Sequence, residues 1–340
     1  MGKIITKDWR IFIVFLFLLE ITVSVHAQKT VLPLAPPKRI AVNAGYQYNL
    51  AAADSAGNPI TYSCKIPAWM RLDTLKKTLS GKAPKAGQYP IRISATTKDT
   101  IIRQQFMLTV YDQHTTNIWA IGNSITNGTG VYNSYRRQLW QLLHAAHYNV
   151  DFVGSWDKHH MGGNVPDPDF DMDHDGHSGW TTHQILEPPD WDKHRGNIDQ
   201  WLEEISPDIV LIELGTNDVF QCVPIPAAMN DLSVMIDKLR AKNNKVRILV
   251  AQIPPLGDQW AEKKLCGTDT AYGAVVKMFN AAVAGMARMK GTDLSPVVIV
   301  DQFTGVDPAV DMYDDIHPNE KGEKKMAERW FKAMKPFLGK

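Results

Sequence analysis

Trp119-Ala120-Ile121-Gly122-Asn123-Ser124-Ile125-Thr126-Asn127-Gly128 is an apolar run that stops at a glycine. A serine follows two residues later, and the chain then turns polar and glycine-rich. A buried strand reads this way when it delivers a hydroxyl to the C-terminal edge of a sheet, where open α/β folds bind their ligands. Serines after strands are common, so the stretch gains meaning only if the chain also supplies a base, an orienter for that base and oxyanion donors.

From Asn117 onward the rhythm is strand, loop, helix. After the opening run, strands are expected at Val150 to Val153, Ile209 to Leu214, Val246 to Ile253 and Val297 to Val300. Helices are expected at Ser134 to His147, Ala227 to Lys242, Tyr272 to Lys290 and Glu320 to Leu338. Five apolar runs separated by helices imply a parallel five-stranded sheet covered on both faces. The segments after Ile121, Val153, Leu214, Ile253 and Val300 should then converge at one edge.

Three further blocks fall in such segments. They are Asp173-His174-Asp175-Gly176-His177-Ser178-Gly179-Trp180-Thr181, Glu213-Leu214-Gly215-Thr216-Asn217-Asp218 and Tyr313-Asp314-Asp315-Ile316-His317-Pro318-Asn319. A serine nucleophile needs a neutral imidazole within reach, and that imidazole needs a carboxylate on its other nitrogen. Asp314 lies three residues before His317, so one tight turn can supply both groups. Asn217, at a strand end, is a side-chain donor suited to an oxyanion, and Gly179 lets a backbone N–H approach the same point.

In this order the four blocks resemble those of the SGNH (GDSL-type) hydrolases, matching at Ser124, Gly179, Asn217 and His317, with Asp314 as the acidic partner. Tyr135-Arg136-Arg137-Gln138-Leu139, Val150-Asp151-Phe152-Val153-Gly154-Ser155, Asp208 to Asp218 and Val250-Ala251-Gln252-Ile253-Pro254-Pro255 narrow the likeness to carbohydrate esterase family three. The resemblance implies a flavodoxin-like α/β fold and ester hydrolysis with neither metal nor cofactor. It also implies acetylated plant polysaccharide as substrate, with Ser124, Asp314 and His317 catalytic and Ser124, Gly179 and Asn217 forming the oxyanion hole. The family's first block usually reads Gly-Asp-Ser; here it is Gly122-Asn123-Ser124. Asn123 can still accept a hydrogen bond but carries no charge.

Before this region, residues 39–112 carry short strands separated by turn signals such as Asp54-Ser55-Ala56-Gly57-Asn58-Pro59 and Ala83-Pro84-Lys85-Ala86-Gly87. The pattern Ile60-Thr61-Tyr62-Ser63, Pro67-Ala68-Trp69-Met70, Leu79-Ser80-Gly81, Gln88-Tyr89 and Phe106 to Val110 resembles the Ig or cadherin-like domains attached to secreted bacterial enzymes. It implies a small all-β sandwich. Trp69 and Tyr89 read as core aromatics, or as a sugar platform. A stiff linker, residues 28–38, precedes it, and residues 1–27 read as a signal peptide. Lys3, Lys7 and Arg10 lead the apolar run Ile11 to Leu19, with cleavage expected after Ala27 and an uncleaved anchor as the alternative. The hydrolase region, residues 113–340, is thus expected in a secreted or periplasmic protein, free of the membrane after cleavage.

With 37 basic and 36 acidic residues, the chain of 340 offers no electrostatic case for binding nucleic acid. In an oxidising compartment its three cysteines matter. Cys222 and Cys266 both follow strands and could be bridged; Cys64 reads as a small hydrophobe. The acidic run Asp167 to Asp175 starts like a calcium loop, but Thr182 stands where the bidentate glutamate belongs, so hydrogen bonding within the loop is the stronger reading. Trp180 is a candidate wall for a sugar ring, or packs under its loop. The expected activity is an acyl-enzyme acetylesterase. The alternatives are another acetylated glycan, a lipid or thioester acyl chain, or a carbohydrate-binding protein with a weakened esterase fold.

Overall fold

The computed structural model describes residues 36–50, 59–98, 100–159, 163 and 165–339. The stretch expected to be a signal peptide, residues 1–27, and most of the expected linker lie outside the described residues. Among those described, no helix is long and apolar enough to cross a membrane.

The first seven strands build a sandwich. Strands β1 (Arg39–Ala41), β3 (Thr61–Lys65), β6 (Gly87–Thr96) and β7 (Ile101–Tyr111) form one sheet in the order β1-β7-β6-β3. Strands β2 (Gly45–Asn49), β4 (Met70–Asp73) and β5 (Thr78–Lys82) form the other. Strand β2 alternates between exposed and buried positions, and Tyr46, Tyr48, Leu79, Ile91, Ile93, Phe106 and Leu108 fill the core between the sheets. Trp69 and Tyr89 meet edge to face at 5.4 Å against this core, and Cys64 is half-buried beside it. The sequence predicts strands at Tyr46 to Ala52, Ile60 to Lys65, Tyr89 to Ala95 and Ile101 to Val110, and β1, β4 and β5 fall outside these ranges. Strands β1 and β4 have three and four residues, too few for an alternation to register, and β5 carries Gly81 in a run of mostly half-exposed positions.

The second unit is a parallel sheet of β8 (Thr116–Gly122), β9 (Val150–Val153), β10 (Asp175–Gly176), β11 (Ile209–Glu213), β12 (Arg247–Gln252) and β13 (Val297–Asp301). The five expected runs lie in the order β9-β8-β11-β12-β13. In sequence terms this is 2-1-3-4-5, the flavodoxin-like winding. The two-residue β10 makes a sixth strand; it continues the β9 side of the sheet, pairing with Ile121 and Gly122 beyond the end of β9. The chain reverses direction across the sheet between β8 and β11, which opens a crevice at their C-terminal ends.

Two helical layers cover the sheet, so β8 is buried on both faces and its side chains alternate between two cores. Trp119 and Ile121 point into a core shared with α3 (Thr182–Leu186), α4 (Ile198–Glu204), α6 (Ile225–Lys242) and α8 (Tyr272–Lys290). Ile118 points the other way, to Tyr135, Leu139 and Leu143 of α2 (Tyr135–Ala145) and to Met326 and Trp330 of α10 (Glu320–Met334). Short helices α1 (Ser124–Asn127), α5 (Thr216–Phe220), α7 (Asp258–Ala261) and α9 (Pro308–Asp311) sit in the loops at the edge. Cys222 and Cys266 are bridged, with Cα atoms 6.3 Å apart. The bridge ties the loop after α5 to the loop after α7.

The two units touch, which the sequence left open. Lys38 pairs with Asp157 and lies 3.6 Å from Asp173, and Arg39 pairs with Asp151. Gln88 donates to the Val150 carbonyl at 3.1 Å while accepting from the Trp140 indole at 2.7 Å. Thr109 donates to Asp171 at 3.2 Å and Gln105 to the Pro168 carbonyl at 2.9 Å. The acidic run therefore faces the sandwich. Asp169 holds Arg137 through two bonds of 2.7 Å, and Asp175 accepts from the Trp119 indole at 2.6 Å. Among the described residues, no cluster of three or more His, Cys, Asp or Glu side chains is arranged to hold a metal ion.

Candidate active site

Strand β8 ends at Gly122, where a Cβ would lie 2.2 Å from Thr126 Oγ1 and 2.7 Å from the Glu213 carbonyl. Only glycine lets the chain turn here against β11. Asn123 then caps α1, its buried side-chain oxygen accepting from Ile125 N–H at 2.8 Å. Ser124 is thus the first residue of a helical turn, with its backbone N–H outside the helical bonding pattern. The fully buried Arg136 closes the other end of that turn, donating to the carbonyls of Thr126 at 2.8 Å and Asn127 at 3.1 Å.

Ser124 Oγ lies 2.8 Å from His317 Nε2, and His317 Nδ1 lies 2.8 Å from Asp314 Oδ2. The other Asp314 oxygen accepts from the backbone N–H of His317 at 2.7 Å and of Ile316 at 3.2 Å. Partial burial pushes the Asp314 carboxyl up, but these hydrogen bonds and the neighbouring imidazole outweigh it and hold the group below the usual carboxylate range. Asp315 is excluded from the pairing: its backbone is left-handed at φ 65°, and its side chain faces Gly257 instead.

Gly179 and Asn217 line the same pocket as Ser124 and His317, a cavity of about 420 Å³ completed by Thr129, Ser178, Phe220, Tyr313 and Ile316. Asn217 Nδ2 donates one hydrogen to the Trp180 carbonyl at 2.9 Å, which fixes the amide and leaves its second N–H free to point elsewhere. Gly179 has φ +84°, and a Cβ there would meet nothing closer than 4.0 Å. Its backbone conformation, rather than crowding, demands glycine. The Gly179 block is joined to the Asn217 block through Asp218, which accepts from the Thr182 hydroxyl at 2.6 Å and the Thr182 N–H at 3.1 Å.

Trp180 requires a correction. Its side chain is 0% exposed, stacked on His177 at 4.3 Å in the core, and it does not line the pocket. An indole at this position completes the aromatic stack with His177 and Trp201 beneath the loop, so it cannot be a sugar wall. The exposed aromatic beside Gly179 is Trp191. His174 also belongs to the interior: it accepts from Gly176 N–H at 2.8 Å and lies 3.0 Å from the Lys158 carbonyl, and burial keeps it neutral. Pocket residues that the sequence reading passed over are Phe220, one helical turn beyond Asn217, and Tyr313, whose ring stacks on His317 at 5.8 Å. Both stood inside or beside quoted blocks, but nothing in their spacing marked them.

A serine, an imidazole and a carboxylate in one hydrogen-bonded chain, at the switch point of a flavodoxin-like sheet, define a serine-hydrolase class of site. Residues 120–325 match the model of the GDSL-like lipase/acylhydrolase family, and the chain belongs to that family. An Ig-domain model matches residues 29–111. Among solved structures, a family 3 carbohydrate esterase from Clostridium thermocellum is 30% identical with a TM-score of 0.51, over 66% of this chain and 96% of that one. A carbohydrate esterase family 3 protein from Talaromyces cellulolyticus is 29% identical with a TM-score of 0.52, over 65% and 97%. A multidomain esterase of Ruminococcus flavefaciens is 28% identical over 66% of this chain, which spans only 29% of that longer protein.

Proposed function

We propose that this protein is a secreted serine esterase that removes O-acetyl groups from a polysaccharide of the acetylxylan type. The observation that carries the reading is the chain Ser124 Oγ to His317 Nε2 to Asp314, 2.8 Å at each link, opening into a pocket that also holds Gly179 and Asn217. The likeness to family 3 carbohydrate esterases supports the substrate class.

In the proposed cycle His317, oriented by Asp314, takes the proton of Ser124 as Oγ attacks the acetyl carbonyl. The N–H groups of Ser124 and Gly179 and the free amide hydrogen of Asn217 receive the oxyanion. His317 then protonates the departing sugar oxygen, and water releases acetate by the reverse path. Because Trp180 does not close the pocket, Phe220 and Ile316 set the limit on acyl length.

Acetate release from acetylated xylan, compared between the parent and Ser124→Ala, tests the assignment. Loss of at least about 1,000-fold in kcat is expected, in line with removal of a nucleophile. A Ser124→Ala protein that hydrolysed acetyl esters at the parent rate would falsify it. Longer acyl esters turned over faster than acetyl esters would move the reading to lipid or thioester substrates.

A further inference from the structure

Next to the catalytic pocket lies a second cavity of about 280 Å³, bounded by Asn127, Trp156, Ser178, Trp191, His194 and Arg195. Ser178 lines both, so the two cavities are adjacent. We propose that this cavity is a subsite for the neighbouring sugar ring of the glycan, with Trp191 as its stacking platform. The proposal deepens the polysaccharide-esterase reading and rests on it for the substrate class.

Trp191 is 64% exposed, large and aromatic, whereas Trp180 and Trp201 beneath the same loop are buried. Its segment, the 3₁₀ turn Asp190–Arg195, is held firmly. Asp192 accepts from the Trp180 indole at 3.2 Å, and Arg195 lies over the Trp156 ring at 3.4 Å. The buried Trp180 thus anchors the turn that presents Trp191. An indole face kept in water on a fixed backbone suits the C–H face of a sugar, since it gives up little conformational freedom on binding.

The walls carry hydrogen-bonding capacity that the protein leaves unused. Just beneath the cavity surface, the buried Asn127 Oδ1 and Arg195 Nη1 have no partner among the described residues, and a side-chain rotation is what would bring either to a ligand. Ser178 Oγ accepts from Asn127 Nδ2 at 3.0 Å, which leaves its own hydroxyl hydrogen to donate. Apolar platform, acceptor and donors are the mixture that sugar sites require. No charged cluster dominates the cavity, because Asp192 is paired with Arg195 at 3.3 Å.

The test uses the full chain carrying Ser124→Ala, so that ligand persists. Isothermal titration with xylohexaose, mannohexaose and a galacturonate hexamer is repeated on the Ser124→Ala/Trp191→Ala and Ser124→Ala/Trp191→Phe proteins. At least one oligosaccharide should bind, Trp191→Ala should weaken it about tenfold or more, and Trp191→Phe should recover most of that loss. Binding of none of the three, or equal binding with and without the indole, overturns the subsite. In the Ser124 background, Trp191→Ala should raise KM for an acetylated oligosaccharide about tenfold more than KM for a small acetyl ester. Equal effects on both also overturn it. Failure of the parent to cleave any small acetyl ester would refute the esterase reading instead, and the titration would still decide the subsite.

Discussion

At the scale of single residues, Asn123, where the family usually has aspartate, serves as a helix cap. Its Oδ1 accepts from Ile125 N–H at 2.8 Å, which a neutral amide does as readily as a carboxylate. Asn123→Asp should therefore change kcat/KM by no more than about threefold. Asn123→Ala removes the cap, costs about 1 kcal/mol of stability and loosens the turn under Ser124, lowering kcat. Paired kinetics and urea titrations of the two variants check this; a large gain in Asn123→Asp would show that charge tunes the site. Glu213, at the end of β11, is the other unusual residue. Both of its carboxyl oxygens lack a partner among the described residues, and burial pushes its pKa from 4.5 to about 8. Between those values the folded protein holds a proton that the unfolded chain has released, so stability must fall as pH rises through this window and level off above it. Glu213→Gln removes the titration. The stability difference, variant minus parent, should grow by on the order of 3 kcal/mol from pH 5 to pH 9. Glu323 and Asp173, each raised to about 7, contribute with the same sign in both proteins and cancel in the difference.

At the scale of elements, legibility followed length and periodicity. Helix α8 and strand β9 run between the residues their patterns dictate, Tyr272 to Lys290 and Val150 to Val153. The helix entered at Glu320 relaxes into a 3₁₀ turn at Lys335–Phe337, because Pro336 cannot supply the N–H that would continue it. Helices α3 and α4 were hidden in what reads as one long loop, since five and seven residues give at most two turns to display an apolar stripe. The site was legible because each block follows a strand, and a parallel sheet brings strand ends together whatever the loops do. Trp180 and Trp191 were not separable, because burial depends on which way a loop folds back and not on residue type. The bridge between Cys222 and Cys266 belongs to this scale as well. It closes a segment with a sequence separation of 44 and steadies the loop that leaves the C-terminal end of α5, the short helix whose first turn carries Asn217. Cys222→Ser/Cys266→Ser should lose about 3 kcal/mol in denaturant titrations and become indifferent to reductant. A variant as stable as the oxidised parent would show that the bridge adds no constraint to the unfolded chain.

Over the whole molecule, the acidic run and the sandwich form one electrostatic unit. Burial, followed by the nearby carboxylates of Asp173 and Asp151, drives the Asp171 pKa well above the ordinary value. Asp151, only 2% exposed at its side chain, is likewise raised by burial, against the pull of Arg39. Carboxylates packed this closely need cations from outside their own loop, and the sandwich supplies Lys38 and Arg39. The expected consequence, tested below, is that the hydrolase fold draws stability from β1 and the residue before it. Arg39→Ala leaves the buried Asp151 without its ion-pair partner and should cost about 1 to 2 kcal/mol, less than a fully buried pair because the Arg39 side chain is 39% exposed. Arg39 also donates to Asn117 at 3.0 Å, beside the first residues of β8, so the loss reaches the strand that delivers Ser124. Adding Asp151→Asn removes the stranded charge. The double variant should recover more than half of the deficit, and the coupling energy from the four-protein cycle measures the contact itself. If Arg39→Ala and Asp151→Asn prove additive, the sandwich is merely tethered. If they couple, and a single unfolding transition reports both units, the β-sandwich is a structural part of the hydrolase.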